Sequence, residues 1–99
     1  MAERRAAPRV PLAVECVLRR GKGSPIAART VDVGPGGMSV RSERPLATDE
    51  VLHFDLPLRD GGVDGDARVL REQAYHVYAL RFEVLDAPAR SRLGALGAG

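Results

Sequence analysis

Apolar residues recur at every second position in run after run of this chain, and Gly or Pro closes almost every run. Val10, Leu12, Val14, Cys16 and Leu18 share one face of the first run, with Glu15 and Arg19 on the other. A period of two marks a half-buried strand over residues 10–18. Gly21 to Pro25 reads as a turn. Residues 26–33 form a second run of weaker pattern, GPGG at 34–37 a turn, and residues 38–41 a third run. Residues 42–49, with Pro45, read as a loop. Leu52, Phe54, Leu56 and Leu58 alternate with His53 and Asp55 in a fourth strand that ends near Pro57. Residues 59–62 make a hairpin-type link to a fifth strand over 63–72, with Ala67 and Val69 inward. In the sixth strand, His76, Tyr78, Leu80, Phe82 and Val84 share a face.

Beyond Val84 the period changes. Asp86 can cap a helix, and Pro88 is tolerated in its first turn. Leu93 and Leu96 lie three apart on one helical face, while Gly94 and Gly97 weaken the helix. This helix is expected to cover one end of the sheet. Six short strands with frequent turns predict an all-β antiparallel barrel or sandwich, and closure would remove exposed edges.

At 99 residues the chain has room for one small domain. With two Phe, two Tyr and no Trp, its core must be mainly aliphatic. No apolar run is long enough to span a membrane, and the first ten residues contain no apolar signal core, so a cytoplasmic location is expected. The single Cys16 lies on the apolar face of the first run and reads as a core residue. His53 and His76 have neither metal-ligand spacing nor a neighbouring Cys or carboxylate cluster, so no metal site is expected. No catalytic order of Ser, His and Asp or of Cys and His is evident, and there is no P-loop, which argues against an enzyme.

The formal net charge of +2 is mild, and no DNA or RNA partner is expected from it. Its distribution says more. Arg4, Arg5 and Arg9 crowd the first nine residues against Glu3 alone, so residues 1–9 read as a flexible arginine-bearing arm on a domain at 10–99. Guanidinium groups can bond phosphate and guanine edges bidentately, which ammonium cannot do. Arg5 and Arg9 form an RxxxR motif whose ends are at most ~13–14 Å apart when extended. Pro8 keeps Ala7 out of helical geometry and stiffens that arm. The second motif, DVGPGG at 32–37, places Asp32 at a strand end, with Gly36 and Gly37 free to take positive φ and let backbone approach a ligand.

In this order, RxxxR followed by DxGxxG resembles the PilZ domain, the bacterial receptor domain for cyclic di-GMP, whose pattern is RxxxR and then (D/N)xSxxG. YALRF at 78–82 is similar to the family's last-strand pattern, GxxF, with Ala79 where Gly is common. The resemblance covers nearly the whole chain. It implies a six-stranded antiparallel PilZ-like barrel with a short C-terminal helix. It also implies a ligand site at Arg4, Arg5, Arg9, Asp32, Gly34 and Gly37, and a relay to an effector protein that the sequence does not name.

The chemistry is coherent with that ligand. An arginine fits the O6/N7 edge of guanine, and a carboxylate can accept from N1–H and N2–H₂. Arg4 adds a third cation, which favours two stacked nucleotides over one. Gly34 departs from the family's serine and removes one hydrogen-bonding group near the guanine. An alternative therefore stands: a PilZ-like adaptor that has lost the nucleotide and acts through protein–protein contacts. A third reading is an unrelated small barrel using its basic arm on nucleic acid, although the aromatic residues fall mostly on expected core faces rather than on a stacking surface.

Overall fold

The computed structural model describes residues 9–59 and 61–98, so Arg4 and Arg5 of the expected arm lie outside the described residues. The strands are β1 (Val10–Pro11), β2 (Glu15–Arg19), β3 (Pro25–Val33), β4 (Gly37–Ser42), β5 (Val51–Leu58), β6 (Gly61–Ala74) and β7 (Val77–Leu85), followed by helix α1 (Ala87–Ala98). All strand pairs are antiparallel. The order β3-β2-β5-β6-β7-β4 closes on itself because β3 also pairs with β4, which gives a six-stranded barrel. The extra strand β1 lies against the far end of β3, with Val10 opposite Val33.

The single strand expected over residues 10–18 is therefore two strands, β1 and β2, on the same edge of β3. Thr30 causes the division. Its hydroxyl is buried and donates to the Leu12 carbonyl, while the Val14 N–H donates back to Thr30 Oγ1 at 2.9 Å. A side chain thus takes the place of ladder bonds where the chain arches at residues 12–14. Pro11 is tolerated in β1 because that short strand lies at a sheet edge.

Alternation sets the core, as read from sequence, for most of each strand. Leu18, Phe54, Leu52, Leu56, Val40 and Leu80 are all buried on the inner face. Phe54 meets Phe82 with ring centroids 5.0 Å apart. The pattern breaks at β-bulges. Val84, expected inside, is 58% exposed, and Leu85 packs against the core in its place. Asp66 pairs with Val84 and Ala67 with Phe82, so Glu83 is an extra residue that reverses the phase. His76, expected within a strand, sits in the β6–β7 turn at φ 58. Tyr75 beside it is exposed and stacks on the His76 ring.

Asp86 caps α1 as expected, accepting from the Ala89 N–H at 2.8 Å. Ala89 and Leu93 are buried, with Leu96 half-buried beside them, so α1 covers the barrel through this face. Arg92 ties the helix to the start of β6 through the Gly62 carbonyl at 2.8 Å. None of the described helices is long and apolar enough to cross a membrane.

Cys16 is 3% exposed, and burial pushes its thiol up to about 11. Thiolate is the reactive species, so this cysteine should be inert in the native fold. Thiol reagents at neutral pH are expected to modify it only as fast as the barrel opens, and rapidly in denaturant. Equal labelling rates in the two conditions would contradict the packing.

Candidate functional site

Four adjacent strands of the barrel wall, β3, β4, β7 and β6, bring a polar cluster together on the outer face. In β3 the ladder to β4 passes from Thr30↔Val40 directly to Asp32↔Ser39, so Val31 is an extra residue. Ile26, Ala28 and Thr30 are buried ahead of this bulge, and Val33 is buried after it. Without the bulge Asp32 would share the inner face with Thr30. The extra residue turns its carboxylate outward instead. The same row continues from Ser39 to Ala79 on β7 and from Ala79 to Arg71 on β6.

Arg9 enters this row from the start of β1. Its Nη1–H donates to Asp32 Oδ1 at 2.7 Å and also reaches Ser39 Oγ at 3.3 Å. Both charged side chains keep about a third of their surface in solvent, 30% and 32% respectively. Ser39 lies beneath them, only 2% exposed, and donates its hydroxyl proton to Gln73 Oε1 at 3.0 Å. Arg9 uses one nitrogen for both bonds. Its Nε and Nη2 groups, the bidentate edge, make no hydrogen bond among the described residues.

The glycine turn is held firmly. The Gly34 N–H donates to the Gly37 carbonyl at 2.9 Å, and the Phe82 N–H to the Gly36 carbonyl at 3.0 Å. Contrary to the sequence expectation, neither Gly36 nor Gly37 takes positive φ; among the described glycines only Gly21 and Gly61 do. Gly37 is required for a different reason. A Cβ there would sit 2.2 Å from the Leu80 carbonyl oxygen of β7, a backbone atom with no room to move. Glycine thus lets β4 and β7 pair at the point where the turn enters the wall.

Of the expected site residues, Arg9, Asp32, Gly34 and Gly37 come together. Ser39, Gln73 and Arg71 were not expected there. Ser39 was within reach of sequence reading, since it falls between the inward residues Met38 and Val40. Gln73 was not, because it is itself an extra residue: Glu72 pairs with Tyr78 and Ala74 with Val77. Several other arginines are already engaged. Arg68 and Arg81 both bind Glu83, and their hydrogen bonds, Arg68 first, hold its carboxyl down at about 2. Arg20 binds Glu50 and the Pro45 carbonyl.

Two other features lie apart from this cluster. The expectation that His53 has no carboxylate cluster is corrected by the β5–β6 register, which sets Asp66 opposite His53 and Asp64 opposite Asp55. Ligand atoms of His53, Asp55 and Asp64 fall within 4.8 Å of one another on this exposed face. A cavity of about 1140 Å³ has Cys16, Ala28, Ser42, Leu56, Tyr75 and His76 in its lining. It shares no residue with the Arg9–Asp32 cluster.

The comparisons with known proteins agree with this architecture. The family model for the PilZ domain matches residues 3–98. The structure of the Bacillus subtilis inhibitor of motility, MotI/DgrA, superposes with a TM-score of 0.82 at 15% identity. It covers 98% of this chain, which spans only 51% of that protein. The PilZ domain of CeSA from a cellulose-synthesizing bacterium superposes with a TM-score of 0.72 at 17% identity, over 93% of this chain and 96% of that one. No curated protein matches the chain.

The Gly37 geometry makes a direct prediction. Gly37→Ala should destabilise the barrel by about 1–3 kcal/mol or more, since overpacking against backbone forces the strands apart. Gly36→Ala, with open space around its Cβ, should cost far less. Thermal unfolding of the two variants checks this, and equal midpoints would contradict the close approach.

Proposed function

Because the chain belongs to the PilZ domain family, we propose that it is a cytoplasmic receptor that binds cyclic di-GMP and relays the signal to an effector protein. The observation that carries this reading is the Arg9–Asp32 pair on the outer barrel face, with the bidentate edge of Arg9 making no hydrogen bond among the described residues. A guanidinium edge and a carboxylate are the two groups that read opposite edges of guanine. Arg4 and Arg5, on the segment leading into Arg9, would supply the further cations that two phosphates require. Arg71, exposed at the far end of the row and without an ion pair among the described residues, adds positive potential.

The site itself is a wall of paired strands, so this reading assigns the response to ligand to the arginine segment. Nucleotide would draw that segment onto the wall and create a surface the free protein lacks. Such a shift requires different ligand affinity in the two arrangements, and arginines that contact phosphate only when bound provide it. The adaptor reading is favoured by one residue. Gly34 is buried and offers no hydroxyl where the family has one.

Calorimetry with cyclic di-GMP, and GMP as control, tests the proposal. Binding is expected with an endpoint near two nucleotides per chain, and Arg9→Ala should remove most of it while the fold survives. Equal affinity of parent and Arg9→Ala would overturn the assignment of the site.

Gly34→Ser should tighten binding several-fold, since one recovered hydrogen bond is worth about 0.5–1.5 kcal/mol. The backbone permits the change, because Gly34 is not at positive φ. If neither parent nor Gly34→Ser binds nucleotide, the adaptor reading replaces the receptor reading.

A further inference from the structure

Ser39 is a hydroxyl in an unusual position: on the outward side of β4, yet 2% exposed. A hydroxyl has one proton to give and two lone pairs to offer. Here the proton goes to Gln73 Oε1 at 3.0 Å, which turns a lone pair toward Arg9 Nη1 at 3.3 Å. The Gln73 carbonyl therefore fixes the direction of the hydroxyl. With the acceptor removed, Ser39 could turn its proton elsewhere and meet Arg9 with no lone pair in line. Gln73 reaches across β7 to do this. It can, because it is the extra residue of a bulge and the outward residue of β7 beside Ser39 is the small Ala79.

The result is an Arg9 held at one nitrogen by two partners, Asp32 and Ser39, while its Nε and Nη2 edge makes no hydrogen bond among the described residues. An arginine immobilised before ligand arrives loses less entropy on binding. We propose that Ser39 and Gln73 are positioning residues for nucleotide: they hold Arg9 so that its free edge faces the ligand, and Gln73 sets the affinity without touching the nucleotide through its carbonyl. This rests on the reading of Arg9 as a ligand arginine.

The test uses the full chain and the variant Gln73→Met, which keeps the length of the side chain and removes the acceptor. In the nucleotide-free protein, ¹⁵N spectra of the Arg9 guanidinium should show restricted Nη1 rotation in the parent and free rotation in Gln73→Met. Gln73→Glu, which keeps an acceptor at the same reach, should restore the restriction. Calorimetry with cyclic di-GMP should give roughly three- to tenfold weaker binding for Gln73→Met, the scale of one ordered side chain. Its salt dependence should match the parent's, since no charge is removed, whereas Arg9→Gln should lose affinity and show a shallower salt dependence. A thermal midpoint equal to the parent's separates positioning from general loosening of the barrel. Unchanged affinity, an unchanged Arg9 spectrum, or a lowered midpoint that accounts for the loss would each overturn the proposal. If the parent itself fails to bind cyclic di-GMP, the receptor reading and the affinity part of this proposal both fail. The Arg9 spectra then still decide whether Ser39 and Gln73 hold the arginine.

Discussion

At Val31 the chain of β3 takes one residue more than its partner β4, and both the core and the outer cluster hang on that step. Thr30 before the bulge and Val33 after it both point inward, although they are three residues apart. A regular strand would have buried Asp32 beside Thr30 and turned Val33 to solvent. An unpaired buried carboxylate is far more costly than a local break in a ladder. The bulge also increases local twist, which suits a small barrel that must close between β3 and β4. The same few residues thereby close the sheet, seal the core and set an acid on the surface next to Arg9.

The six barrel strands and the helix were legible because alternation and capping are local. Leu52, Phe54 and Leu56 read correctly one residue at a time, and so did Asp86 as a cap. What was not legible came from bulges and from side chains that replace backbone partners. Glu83 flips the phase so that Leu85, not Val84, faces inward, and nothing in the local pattern announces it. The Thr30 hydroxyl divides one alternating run into β1 and β2, though the alternation continues through the division. At the site, motif chemistry groups Arg9 and Asp32 as candidates for one ligand, but their direct ion pair and the role of Gly37 come only from the fold. Gly37 answers to the carbonyl of Leu80 across the sheet, a long-range neighbour that no turn rule contains.

Charge placement separates structural arginines from available ones. Glu83 holds Arg68 and Arg81, and Glu50 holds Arg20, so these guanidinium groups already have an anion at hand. Drawing one of them to a ligand phosphate would leave a carboxylate behind. Among the described residues Arg68 bonds through three nitrogens and Arg20 through two, whereas Arg9 and Arg81 each bond through one. Donors left over therefore do not single out Arg9. Its place does, because it alone of the four stands beside Asp32 and the buried Ser39.

The platform beneath the cluster is stiff for reasons independent of any ligand. The Gly34–Gly37 turn is tied to β7 through Gly36 and Phe82, and Phe82 packs on Phe54 in the core. Ser39 is braced between two ladders and bound to Gln73. A group on such a wall is held close to one geometry. Arg9 stands one residue ahead of β1 and is anchored to the wall by Asp32. Through Asp32, Ser39 and Gln73 the start of β1 is thereby joined to β3, β4 and the bulge of β6.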